Sequence, residues 1–151
     1  MCSKKNDIKL YNVLFPFWML LLFPVTWLIV IPGNFLIDSL VLIISMRILK
    51  IADKKLWYKR YILKIFAFGM LSDIIGSAYM LLMITVFEVG RMGDEPYLTI
   101  PGLIISAVMI FVFNCFVTFK TIDKPIRLKL ALVFALFTAP YTFLVKSSWL
   151  Y

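Results

Sequence analysis

Residues 61–87 read YILKIFAFGMLSDIIGSAYMLLMITVF, a stretch of 27 residues in which only Lys64 and Asp73 are charged. An α-helix of that length rises about 40 Å at roughly 1.5 Å per residue, which is enough to cross a bilayer core about 30 Å thick. The stretch therefore predicts a transmembrane helix that carries an aspartate near its middle.

The composition of the whole chain is typical of a membrane protein. Hydrophobic residues make up 63% of the 151 residues and charged residues only 16%, whereas soluble domains hold roughly 45–50% apolar and about 25% charged residues. The net charge of +8 arises from Lys and Arg clustered between apolar runs, which indicates membrane topology signals rather than nucleic-acid binding. The richest cluster, from Arg47 to Arg60, predicts contact with the lipid bilayer through anionic lipid head groups.

The chain offers few residue types for catalysis or metal binding. It has no histidine and two cysteines, Cys2 and Cys115, so it lacks the Cys and His set from which structural zinc sites are built. A Ser-His or Cys-His nucleophile pair is excluded. We therefore expect neither a metal nor another cofactor. An intramembrane enzyme is the least favoured class of function, because its chemistry would rest on isolated carboxylates.

Four further apolar runs accompany residues 61–87. Together they predict an all-α, polytopic integral membrane protein, a single membrane domain of about five transmembrane helices over residues 13–31, 34–49, 61–87, 98–119 and 128–145. Pro32 and Gly33, followed by Asn34, predict a turn between the first two spans, and Pro140 interrupts the last one. Because the second span is short, the alternative for the first two is a hairpin that does not fully cross the bilayer.

The distribution of Lys and Arg predicts the orientation of these spans. Successive segments outside the spans carry three, none, six, one, four and one of these residues. Because cytoplasmic segments of membrane proteins hold an excess of Lys and Arg, the amino terminus and the segments 47–60 and 120–129 are predicted to be cytoplasmic. Five spans then place the carboxyl terminus outside the cell membrane.

Asp73 is the first candidate functional residue, because an ionisable side chain is costly near the middle of a bilayer. One hypothesis is that its carboxylate couples a proton or a cation to transport. The alternative is that Asp73 only joins two helices, with Gly69, Gly76 and Ser77 allowing close approach of the backbones. We expect the helix face that carries Asp73 and Met80 to point inward. The polar partners expected for Asp73 on the second and fourth spans are Ser45, Ser106 and Asn114.

Three further polar residues complete the candidate path. Asn34 and Asp38 lie one helical turn apart at the start of the second span, with Asp38 about 6 Å of helical rise below the outer surface, where it could line a vestibule. The alternative is that Asn34 caps this helix and Asp38 lies at the positive end of its dipole. Asn114, in the fourth span, belongs either to the path or to an interhelical hydrogen bond.

The sequence leaves two classes of function open. The first is a small transporter or channel-like protein, as a homo-oligomer, with a polar path through Asp73. The second is a non-catalytic subunit or interaction protein that binds a partner membrane protein and whose polar residues only fix helix packing. The two classes differ in whether Asp38 and Asp73 face a common water-accessible cavity.

Overall fold

A computed structural model of the chain describes residues 27–88 and 95–144. These residues form four α-helices: α1 (Trp27–Ile48), α2 (Lys54–Thr85), α3 (Pro96–Phe113) and α4 (Lys124–Phe137). A π-helix, Asn114–Thr118, extends α3, and a 3-10 helix, Tyr141–Leu144, follows α4. With these extensions, the described residues hold four helical segments long and apolar enough to span a membrane. The predicted all-helical class is confirmed for this part of the chain.

The main core lies at one end of the bundle. It joins Leu42 of α1, Ile65 of α2 and Phe134 of α4 with Ile110 of α3 and with Phe119, which follows the π-helix. The rings of Tyr61 and Phe134 lie 5.5 and 5.9 Å, centroid to centroid, from the ring of Phe119. The connections 49–53 and 119–123 lie at this end, together with the nearby cations Arg47, Lys50, Lys54, Lys120 and Lys124. We call it the basic end.

The helix α1 corrects the turn predicted from Pro32 to Asn34, because α1 continues through these residues. In hydrocarbon, a continuing helix keeps its backbone groups paired within the segment, so proline and glycine are tolerated inside membrane helices. Pro32 removes only the backbone hydrogen bond that the Leu28 carbonyl would accept. The boundary predicted between spans 13–31 and 34–49 is wrong for this reason.

The predicted count of five spans depends on residues outside the described part of the chain. Residues 27–31 of the predicted first span belong to α1, and residues 13–26 lie outside the described ranges. The described residues therefore support four candidate spans.

The other three predicted spans each match one helix with shifted ends. The helix α2 begins at Lys54 rather than at residue 61, because the Lys, Leu and Arg residues before Tyr61 are good helix formers and long basic side chains can extend out of hydrocarbon. The connection between α1 and α2 therefore consists of residues 49–53 and is shorter than the predicted segment 47–60. The helix α4 ends at Phe137, three residues before Pro140, which confirms the predicted interruption.

The burial pattern is the reverse of that in a soluble protein. Leu28 and Ile29 are each 80% exposed, whereas Asp38 and Asp73 are each only 4% exposed. Ten polar or charged residues are buried: Asp38, Ser39, Ser45, Ser72, Asp73, Ser77, Thr99, Ser106, Asn114 and Thr118. Water would drive so extensive an apolar surface to associate, while hydrocarbon would solvate it. The pattern thus agrees with helices whose apolar side chains face lipid and whose polar side chains face the interior of the bundle.

The helices α2 and α3 pack closely at Gly76. The Ser106 hydroxyl of α3 donates a hydrogen bond to the Ser72 carbonyl oxygen of α2 at 3.0 Å. A Cβ atom added to Gly76 would collide with the Ser106 hydroxyl oxygen and lie 2.9 Å from the Gly102 carbonyl oxygen and 3.1 Å from the Phe143 ring. Only glycine fits at position 76 without moving the backbone of α3.

We expect Gly76→Ala to destabilise the protein by about 1–3 kcal/mol, because the added methyl group overfills this contact. Thermal unfolding of the purified protein in detergent, followed by circular dichroism, measures the change. Gly33→Ala is the matched control, since no atom lies within 4 Å of a Cβ built on Gly33. Equal losses of stability in the two variants would contradict the close packing of α2 and α3.

The helix α1 ends in a Schellman motif. Lys50 adopts the left-handed conformation, with φ of 51°, and its N–H donates to the Arg47 carbonyl oxygen at 3.2 Å. The Ile51 N–H donates to the Met46 carbonyl oxygen at 3.2 Å, and both side chains belong to the main core. Glycine is the usual residue at the left-handed position, because a Cβ atom disfavours it. Lys50 therefore holds a strained backbone at the basic end.

We expect Lys50→Gly to raise the free energy of unfolding by about 0.5–1 kcal/mol, because it relieves the left-handed strain. Chemical denaturation in mixed micelles measures this change. Lys59→Gly is the control, since it removes the same charge from an exposed position within α2 and should lower stability by up to about 1 kcal/mol. A loss of stability in Lys50→Gly would show that the motif is not formed.

Candidate functional site

The structure brings three of the four candidate residues together between α1 and α2. The Asn34 side-chain amide donates to Asp73 Oδ2 at 3.3 Å and lies 3.3 Å from Met70 Sδ. Asp38 follows Asn34 by one turn of α1, and its carboxylate lies against Gly69, one turn before Asp73 on α2. The three polar residues therefore form one cluster, which we call the carboxylate cluster.

The pairing of the two helices has a simple register. Asn34 lies opposite Asp73, and four residues further along α1 Asp38 lies opposite Gly69, four residues back along α2. This is the relation expected of antiparallel helices, in which side chains one turn apart share a face. A Cβ atom on Gly69 would lie 3.5 Å from Asp38 Oδ2, an ordinary van der Waals distance, so the Asp38 carboxylate lies beside α2 at this position.

The electrostatics of the cluster are unfavourable for two ionised carboxylates. Asp38 and Asp73 are both buried, and both lie along the contact between α1 and α2. Asn34 is the hydrogen-bond donor to the Asp73 carboxylate among the described residues, and Asp73 Oδ1 has no hydrogen-bond partner there. Two buried carboxylates are costly to ionise together in a low dielectric, so uptake of a proton or a cation would stabilise them. The cluster has the chemistry of a site for one positive charge.

Two predictions about Asp38 and Asn34 are wrong because α1 continues through Pro32. Asn34 is the eighth residue of α1 and not its cap, and Asp38 is the twelfth. Between Trp27 and Asp38 the helix rises about 16 Å, so Asp38 does not lie one turn after the start of a helix. Asp38 therefore lies near the middle of α1, one helical turn from the level at which Asn34 meets Asp73.

The partners expected for Asp73 also need correction. Ser45 and Asn114 form no hydrogen bond with Asp73, and Ser106 donates to the backbone of Ser72 instead. Asn34, which the sequence assigned to a turn, is the partner. The predicted inward orientation of this face of α2 is confirmed, since Asp73, Gly76 and Met80 are all buried.

Asn114 lies apart from the carboxylate cluster. It begins the π-helix, eight residues and about 12 Å of helical rise beyond Ser106, on the side of the basic end. Its side chain is fully buried, and neither the amide nitrogen nor the amide oxygen has a hydrogen-bond partner among the described residues. The Phe119 N–H donates to the Asn114 carbonyl oxygen at 2.9 Å, the spacing that defines the π-helix. The sequence has neither proline nor glycine at positions 114–118 to predict this irregularity.

Two cavities lie outside the carboxylate cluster. One, of about 380 Å³, lies at the basic end, where its polar lining includes Arg60, Tyr61 and Asp123. The other, of about 420 Å³, is an apolar groove between α1 and α4. Neither cavity is lined by Asp38 or Asp73. In this conformation the two carboxylates are closed off from both.

No family model matches the chain, and neither the curated proteins nor the solved structures include a similar one. Among the described residues, no group of three or more His, Cys, Asp or Glu side chains could hold a metal ion. Any function must therefore be argued from the carboxylate cluster and its surroundings.

Proposed function

We propose that the chain is a multi-pass protein of the cell membrane that moves a proton or a monovalent cation across the bilayer. The observation that carries the proposal is the carboxylate cluster: Asp38 and Asp73, both buried, lie near the middle of α1 and α2, and Asn34 donates a hydrogen bond to Asp73. Ionisable residues at such a depth are costly and are a feature of ion pathways and proton relays.

The cluster suggests how a single charge would be carried. One proton or cation neutralises the two carboxylates and allows the helices to close over them, as the low exposure of both side chains illustrates. Exchange with the side nearer Asn34 requires α1 and α2 to separate there, so that water reaches the pair. Once both carboxylates are ionised, their repulsion keeps the site open until the next charge enters.

The proposal includes partners outside the chain. The apolar outer faces of the four helices are compatible with a homo-oligomer or with a partner membrane protein. The exposed cations of the segment from Arg47 to Arg60 would attract anionic lipid head groups.

A second candidate function is supported by the closure of the cluster. Neither carboxylate lines the cavity at the basic end or the groove between α1 and α4, and among the described residues the hydrogen-bond partner of Asp73 is Asn34. A cluster of this kind could serve only to fix α1 against α2 in a non-catalytic subunit or interaction protein. The two candidates differ in whether replacing Asp73 abolishes activity or only changes packing.

The orientation of the bundle follows from the same proposal. The basic end would lie in the cytoplasm, because Lys and Arg favour that side. The carboxyl terminus, one span beyond residues 119–123, would then be external. Five spans would place the amino terminus in the cytoplasm, whereas the four described spans alone would place it outside.

We expect a topology reporter fused after Tyr151 to read as external and one inserted at Asp53 to read as cytoplasmic. A third reporter before Met1 distinguishes five spans from four, since a cytoplasmic signal requires a further crossing before α1. Activity of an alkaline phosphatase and a green fluorescent protein fusion at each point gives the two opposite readouts. If the reporters at Asp53 and Tyr151 report the same side, the proposed orientation fails.

We expect Asp73→Asn to abolish ion movement while leaving the protein folded, because asparagine keeps the hydrogen-bonding shape of the side chain but cannot carry a proton or a negative charge. Its unfolding free energy should change by no more than about 1 kcal/mol. Proteoliposomes loaded with a pH-sensitive dye, under an imposed proton or sodium gradient, measure the flux.

Asp38→Asn should have the same effect on flux, since the two carboxylates act as one site. The matched control is Asp53→Asn, which removes one carboxylate from an exposed position in the connection 49–53 and should leave the flux unchanged. A stable Asp73→Asn variant that still moves ions at the rate of the unchanged protein would contradict the transport proposal. It would favour the packing function instead.

A further inference from the structure

The groove between α1 and α4 is a lined depression on the outer surface of the bundle. Its volume is about 420 Å³. Both helices contribute apolar side chains to its walls. Those of α1 are Val41, Ile44 and Ile48, and those of α4 are Leu132, Val133 and Phe137. Ile48 is 74% exposed and Phe137 is 66% exposed, so the groove opens outward rather than into the bundle.

One end of this groove is charged. Lys129, on the second turn of α4, is an exposed residue of the lining, and Leu49 lies at the corresponding end of α1. From Lys129 to Phe137, and from Val41 to Leu49, the two walls each rise about 12 Å. The groove is therefore an apolar slot about 12 Å long with a cation at the basic end.

We propose that this groove binds one acyl chain of an anionic phospholipid, with the Lys129 ammonium group on the lipid phosphate. The inference rests on the proposed membrane insertion but not on ion movement. An unbranched acyl chain matches a long apolar slot that is open to lipid along one side. The head group would then lie level with Lys129, where a bilayer has its phosphates when the basic end is at the membrane surface.

The charge near Lys129 decides which lipid fits. Arg47 precedes the lining residue Ile48 on α1, and Lys129 itself lines the groove. Within a membrane, an acyl chain gains little by exchanging lipid neighbours for apolar side chains, since both surroundings are apolar. Selectivity must come from the head group, so a lipid with net negative charge is favoured over a zwitterionic one.

The test measures retention of phosphatidylglycerol and phosphatidylcholine by the full chain. Extraction of membranes with alkaline carbonate first establishes whether the chain is inserted, independently of any lipid site. The protein is then purified in mild detergent after addition of an equal mixture of the two lipids, and bound lipid is counted by native mass spectrometry. We expect bound phosphatidylglycerol and little bound phosphatidylcholine.

The charge is tested with Lys129→Gln, which should lower phosphatidylglycerol retention about fivefold, the effect of one basic residue at a membrane surface. Lys124→Gln is the matched control, because it removes the same charge from the same helix at a position that does not line the groove. Equal losses in the two variants would overturn the proposal in favour of a diffuse attraction.

The apolar slot is tested separately with Ile44→Trp, which fills the groove from a wall position that is 54% exposed. Ile104→Trp on α3, at 55% exposed and outside the groove, is its control. Loss of bound lipid in Ile44→Trp alone supports the site. Unchanged retention, equal retention of phosphatidylcholine, or loss of a dimer instead of a lipid in Ile44→Trp would each overturn it.

Discussion

The close approach of α2 to both of its neighbours is the constraint on which this bundle depends. In an apolar solvent the hydrophobic effect does not drive helices together, so packing and interhelical hydrogen bonds must hold them. The helix α2 meets this requirement with two glycines on one face: Gly69 lies against Asp38 of α1, and Gly76 lies against Ser106 and Gly102 of α3. A side chain at Gly76 would push α3 away and separate the Ser106 hydroxyl from the backbone of Ser72.

This approach has an electrostatic consequence. Between the two glycines lies Asp73, so the face that packs against α1 and α3 also carries a carboxylate into the interior. The register that sets Gly69 against Asp38 also sets Asn34 against Asp73. Close packing and an electrostatically costly pair of carboxylates thus arise from one alignment of α1 with α2.

The sequence predicted the helices better than their junctions. Long apolar runs identified α2, α3 and α4, and the spacing of Gly69, Asp73 and Gly76 identified the inward face of α2. The turn at Pro32 was wrong because the rule that proline and glycine break helices comes from water, where an interrupted backbone can bond to solvent. Because of that error, Asn34 was predicted to cap a helix and Asp38 to lie near the surface, and the contact between Asn34 and Asp73 was not predicted. Which side chains meet across two helices depends on the register of one helix against the other. The sequence pattern within a single span does not specify that register.

Two interior prolines bear on how the carboxylate cluster could open. Pro32 is the sixth residue of α1 and Pro101 the sixth of α3, and each removes one backbone hydrogen bond within its helix. Both prolines lie in the half of the bundle away from the basic end. At the basic end, the aromatic contacts around Phe119 hold the helices together. A bend at Pro32 would move the start of α1 away from α2 just beyond Asn34, without disturbing the core at the other end. On the proposed function, ions would therefore reach the carboxylates from the end opposite the basic connections, which the distribution of Lys and Arg assigns to the outside.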